Sequence, residues 1–119
     1  MKTPTCPFCL ENNLLKTPIL HKSNGGFLVP ALGSEGNYLI VPKVHAEDPG
    51  ELPDDWWADF KALFAKVPIE KAHYNLSLNV GEHAGQTVKH LHFWVIPRKP
   101  GLPTSGKGLA ALIQSSSIE

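Results

Sequence analysis

Apolar and polar positions along this chain follow two periods. In Tyr74-Asn75-Leu76-Ser77-Leu78-Asn79-Val80 every second residue is apolar, the signature of a strand with one buried face. Tyr74, Leu76, Leu78 and Val80 are expected toward the core, with Asn75, Ser77 and Asn79 on the opposite face. Leu91, Phe93 and Val95 alternate in the same way with His90, His92, Trp94 and Ile96, which predicts a second strand. A turn over residues 81–88 joins the two, so they should lie side by side and antiparallel, with Asn79 near the histidines. Upstream, Ile19-Leu20-His21 and Phe27-Leu28-Val29 flank Ser23-Asn24-Gly25-Gly26, a hairpin pattern, and Asn37-Tyr38-Leu39-Ile40-Val41 reads as a further strand. The period then lengthens. Trp56, Phe60, Leu63, Phe64 and Val67 recur at helical spacing behind Pro53-Asp54-Asp55, predicting an amphipathic helix over residues 53–67 that Pro68 stops. Its aromatic stripe fits a core or dimer contact, and Trp57 lies off it on an exposed edge.

Beyond Arg98 the pattern dissolves into turn formers, and an irregular tail is expected over residues 99–119, with a short helix near 109–113. Ser105-Gly106-Lys107-Gly108 lacks the upstream glycine and following hydroxyl of a P-loop. A chain of 119 residues with no internal repeat reads as one domain. Its formal net charge of zero offers no global field to recruit nucleic acid or an anionic membrane. Lys89, Arg98, Lys99 and Lys107 nevertheless gather around the histidine strand, a local positive end that suits a phosphate. No apolar run reaches the length of a membrane span, and residues at the start lack the apolar core of a signal peptide, so a cytoplasmic location is expected.

Two clusters carry chemistry. His90 and His92 stand at i and i+2 on one strand face, roughly 7 Å apart. Gly85-Gln86-Thr87 just before them supplies a small-residue turn with a hydroxyl and amide groups. Imidazoles beside such a turn suit phosphate chemistry with a histidine nucleophile, although two histidines on a solvated strand face also occur by chance. The second cluster is Cys6-Pro-Phe-Cys9. A redox dithiol should follow a strand, and only five residues precede Cys6. Half of a zinc site, completed by histidines from elsewhere, or two incidental cysteines remain open.

Taken together, Cys6-x-x-Cys9, Leu39-Ile40-Val41-Pro42-Lys43-x-His45, Asn79, Ala84-Gly85-Gln86-Thr87-Val88-Lys89-His90-Leu91-His92 and Ile96-Pro97-Arg98 resemble the histidine triad superfamily of nucleotide hydrolases and transferases. The resemblance implies an α+β fold, an antiparallel sheet with one principal amphipathic helix, usually paired as a homodimer. Residues 1–18 would then be a zinc-anchored N-terminal segment. It further implies a zinc held by Cys6, Cys9, His45 and His90; four protein ligands leave no open position, so the metal would be structural. His92 matches the family nucleophile, attacking the α-phosphorus of a nucleotide and passing through a nucleotidyl-histidine. Asn79, Gly85, Gln86 and Thr87 match positions on the phosphate side.

Two residues depart from the pattern. Trp94 replaces the third histidine of the triad, keeping an N–H donor without the capacity to take a proton. Val29 stands where an Asp or Asn commonly binds the ribose hydroxyls. Two functions follow as expectations: a nucleotide hydrolase or nucleotidyl transferase working through His92 on a small-molecule substrate, or a zinc-stabilised nucleotide-binding protein of the same fold with little catalysis. A redox dithiol protein is a distant third.

Overall fold

The structure, a computed structural model, describes residues 4–117, with side chains in the last helix described as far as Ile113. Residues 1–3 and 118–119, the ends of the segments expected at 1–18 and 99–119, lie outside the described residues. Five strands, β1 (His21–Lys22), β2 (Gly26–Pro30), β3 (Tyr38–Pro42), β4 (Tyr74–Leu78) and β5 (Phe93–Pro97), form one sheet in the order β1-β2-β3-β5-β4. Every neighbouring pair is antiparallel. The main helix α1 (Trp56–Phe64) connects β3 to β4, and α2 (Leu109–Ser117) follows β5. This is the α+β architecture that the two periods imply.

The central strands are apolar at consecutive positions because both of their faces are covered. Phe27, Val29, Leu39 and Val41 face one way and bury Cys6, Phe8 and Cys9 of the N-terminal segment. Leu28, Ile40, Phe93 and Val95 face the other way and meet Trp56, Leu63 and Val67 of the helical stretch. Full burial of each such side chain contributes about 1.5–3 kcal/mol. Trp56 lies flat against Phe93, ring centroids 5.9 Å apart. Its ring also closes on Gly26, where an added Cβ would sit 2.5 Å from the Val41 carbonyl oxygen and 2.7 Å from the indole. Only glycine permits that approach.

Where the structure departs from periodicity, exposure and competing hydrogen bonds give the reason. The strand β4 is an edge, and Leu76 and Val80, expected in the core, are exposed, while Tyr74 and Leu78 pack toward the helix. The strand β5 begins at Phe93, not His90. The ladder to β3 stops at Ile40↔Phe93: beyond it the Leu91 N–H bonds the Ala46 carbonyl at 2.9 Å, and the Pro42 carbonyl at the end of β3 accepts from the His90 ring. The helix starts three residues later than expected and ends three earlier, with Val67 still buried in the turn beyond it. The last helix extends to Ser117, past the expected 109–113. Before it, Arg98 gathers the tail, donating to the Asn75 side chain and, at 2.6 and 2.8 Å, to the carbonyls of Thr104 and Lys107.

Candidate functional site

Cys6, Cys9, His45 and His90 come together although 84 residues separate the first from the last. All four are buried, and their ligand atoms lie within 4.8 Å of one another. The Nδ1 of His90 is 3.4 Å from the Cys6 sulfur and 3.7 Å from that of Cys9, and the Nδ1 of His45 is 3.2 Å from Cys9. In a tetrahedral zinc site, metal bonds of standard length set nitrogen and sulfur about 3.6 Å apart. The outer nitrogens are already engaged: His90 Nε2–H donates to the Pro42 carbonyl at 2.7 Å, and His45 Nε2 lies 3.3 Å from a Glu47 carboxylate oxygen. Such outer partners fix the tautomer that turns each Nδ1 lone pair inward, as metal-binding histidines require. The four residues therefore form a cluster able to hold a metal. Cys6 and Cys9 are buried and are not joined in a disulfide.

Burial, aided by the neighbouring His45 and His92 rings and opposed by the Pro42 hydrogen bond, lowers the pKa of His90 from 6.5 to about 4. Between those values the unfolded chain carries a proton that the folded chain refuses, so stability falls as the pH drops through that window. Urea denaturation should find the protein less stable at pH 4 than at pH 7.5 by on the order of 3 kcal/mol. A bound metal would steepen the loss, since its ligands must be deprotonated. Equal stability at the two pH values would contradict this assignment.

His92 adjoins this cluster. Nδ1–H of His92 donates to the carbonyl of His90 at 2.8 Å, which leaves the lone pair on Nε2. Burial lowers the pKa of His92, favouring the neutral ring. Phe8, between the two cysteines, stands edge-on to both rings, 5.8 Å from His90 and 5.1 Å from His92. His92 opens onto a cavity of about 360 Å³ whose walls include Phe8, Leu15, Val29, Leu39, Thr87 and Trp94. That volume is in the range of small-molecule sites, roughly 300–1,000 Å³. Trp94 stands beside His92 with ring centroids 6.2 Å apart, and its buried indole N–H has no hydrogen-bond partner among the described residues.

The remaining candidates divide. Thr87 reaches the cavity. Gly85 adopts a left-handed backbone, φ +94°, and Asn79 packs against it, 3.6 Å from the place a Cβ would take. The Gln86 carboxamide is spent on its own loop, accepting from Gly81 N–H at 2.8 Å and donating to the Val88 carbonyl at 2.9 Å. Lys89, Arg98, Lys99 and Lys107 do not line the cavity; Lys16 does. Periodicity gave no warning of Lys16 and Thr17, which arrive on an irregular segment. Phe8 carried a signal: any ligand pair at Cys6 and Cys9 carries the residue between them to the histidines.

The match to a HIT domain family model covers residues 33–101, including His45, His90 and His92. The chain belongs to the HIT family. Within it, a HIT-like protein of Methanocaldococcus jannaschii is 41% identical over 81% of this chain and 81% of its own length. Adenosine 5′-monophosphoramidase of Schizosaccharomyces pombe is 42% identical over 60% of this chain and 56% of that enzyme. Adenylylsulfatase of Arabidopsis thaliana is 40% identical over 56% of this chain; the match spans 36% of the plant protein. Among solved HIT structures, a Zn-bound histidine triad family protein from Mycobacterium smegmatis superposes with a TM-score of 0.67, at 24% identity, covering 97% of this chain and 98% of that one. That likeness establishes the fold.

Proposed function

We propose that this HIT protein is a nucleotide hydrolase or nucleotidyl transferase in which His92 is the nucleophile. The observation that carries the reading is the His92 ring itself: neutral, oriented through Nδ1–H on the His90 carbonyl, with its Nε2 lone pair left for a substrate at the cavity. Nε2 attacks the α-phosphorus of a nucleotide conjugate, a P–N bond forms, and the bond to the leaving group breaks with its electron pair. Water, or another acceptor, then displaces the imidazole from phosphorus and loses a proton. Imidazole serves both steps because it is a good nucleophile at neutral pH and a good leaving group. The Thr87 hydroxyl supplies a donor for phosphate oxygens, where charge accumulates, and the Trp94 ring forms the wall beside His92. Gly85, braced by Asn79 and by the Gln86 carboxamide, shapes the loop from which Thr87 projects. The phosphoramidase and adenylylsulfatase relatives support a phosphorus-centred reaction.

In this reading zinc occupies Cys6, Cys9, His45 and His90 and is structural, since the four side chains fill a tetrahedral shell. Thiolate ligands at Cys6 and Cys9 in place of a disulfide suit a reducing cytoplasm. Two copies pair through the exposed edge strand β4 and the neighbouring helix α1, where Leu76, Val80 and Trp57 are exposed. A monomeric mass at micromolar concentration by light scattering would reject that pairing.

Trp94 motivates a second reading, a zinc-stabilised nucleotide-binding protein with little turnover, because an indole cannot act as a proton acceptor or a cation. Adenosine 5′-phosphoramidate labelled at the α-phosphorus separates the two. The enzyme reading expects label on the protein after a rapid quench, stable in alkali and lost in acid. Binding without labelled protein and without product supports the second reading.

A further inference from the structure

All four residues of the metal cluster are buried, so an ion needs a route to them. The cavity at His92 touches none of the four. A separate cavity of about 590 Å³ does: His45 lines it, together with Glu11, Lys43, Asp55 and Asp59. Glu11, Lys43 and Asp55 are exposed, so this cavity opens to solvent. Three carboxylates against one ammonium group give it a negative balance, in a chain whose formal net charge is zero.

Two of those carboxylates are not spent on hydrogen bonds of the fold. Asp55 occupies the N-cap of α1 without making a side-chain capping bond, and neither it nor Asp59 is hydrogen-bonded through its carboxylate among the described residues. They stand at i and i+4, where like charges repel along a helix. An added Cβ at Gly25 would collide with the Asp59 carboxylate, so the glycine leaves that group its place at the cavity. The two imidazoles of the cluster also differ on their outer sides. His90 is fixed by the carbonyl of buried Pro42 at 2.7 Å, whereas His45 is 3.3 Å from Glu47, whose side chain is 53% exposed. The weaker outer tether belongs to the ligand that borders the open cavity.

Resting on the zinc reading above, we infer that this second cavity is the port through which a divalent metal ion reaches and leaves the cluster. Glu11, Asp55 and Asp59 draw the hydrated cation in, and His45 is the ligand that turns aside to pass it. Exposed carboxylates hold such an ion weakly, while thiolates and imidazoles keep it. A cleft lined by one sign of charge speeds ion arrival by roughly 10–10³-fold, a gain that salt screens. A port speeds entry and exit together, so it sets the exchange rate and leaves affinity unchanged.

Exchange of bound zinc for a heavy zinc isotope in the folded, metal-replete protein tests this, read by mass spectrometry after desalting. Asp55→Asn/Asp59→Asn protein should exchange at least about tenfold more slowly than the parent, with a zinc dissociation constant within about threefold of the parent's. Glu35→Gln/Glu70→Gln, an equal charge change outside this cavity, should exchange at the parent rate. In the parent, exchange should slow as ionic strength rises from ~0.05 to ~0.5 M. Glu47→Ala should speed exchange roughly tenfold, and Glu47→Gln, which can still accept from the His45 ring, should restore the parent rate. Equal or faster exchange in the Asp55→Asn/Asp59→Asn protein, or slowing matched by tighter binding, overturns the port while leaving zinc at the cluster. No acceleration in Glu47→Ala overturns His45 as the gate. A parent that binds no zinc removes the zinc reading, and the inference falls with it.

Discussion

Replacing His92 with asparagine should lower turnover of a nucleoside phosphoramidate by at least roughly 10³-fold, the scale on which enzymes lose rate when a nucleophile is removed. Asparagine is the informative choice. Its side-chain N–H₂ can replace the Nδ1–H that donates to the His90 carbonyl at 2.8 Å, and His92 is outside the metal cluster, so folding and metal content should be retained. Some loosening against the Phe8 ring is expected, at about 1–2 kcal/mol. The companion change is Trp94→His. The buried indole N–H has no partner among the described residues, so a second imidazole there would break no hydrogen bond and would add a group able to pass a proton. Hydrolysis should rise, by roughly the 10²-fold typical of a positioned acid or base. Parent and His92→Asn proteins of equal, measurable activity would exclude histidine-nucleophile catalysis.

Metal removal carries the other large effect. Cys9 is almost wholly buried and its sulfur approaches both His45 and His90, so Cys9→Ser should abolish stoichiometric zinc binding. Unfolding free energy should fall by at least about 3 kcal/mol, a conservative share of what structural zinc contributes to small domains. For a chain of this size that lowers Tm by about 10 °C. The loss should extend to the cavity, because Pro7 and Phe8, between the two cysteine ligands, form part of its wall. A wall shifted by an ångström can cost up to roughly 10² in rate. Chelation of the parent protein should reproduce both losses and added zinc should reverse them, whereas zinc should not rescue Cys9→Ser. Elemental analysis finding no zinc in the replete parent would reject the assignment.

Elements with local signals were legible along the chain. Alternation around Tyr74 and Phe93, the 3.6-residue recurrence from Trp56 to Val67, and the Ser23-Asn24-Gly25-Gly26 turn each report a nearby backbone geometry, and each element is present. The four cysteine and histidine positions were legible through their motif, and the structure draws them into one cluster. Tertiary structure decided matters that depend on neighbours distant in the chain. Leu76 and Val80 carry a core pattern yet are exposed, because only the strand order makes β4 an edge. His90 and His92 read as ladder residues, yet the strand starts after them. The Ala46 carbonyl takes the Leu91 N–H and the Pro42 carbonyl takes the His90 ring, both acceptors more than 40 residues away. Gln86 looks like a phosphate ligand in the sequence, but its carboxamide satisfies backbone groups of its own loop. Phe8, Lys16 and Val29 became cavity walls only when the N-terminal segment packed across the central strands, since periodicity fixes which face a side chain takes and packing fixes what that face meets.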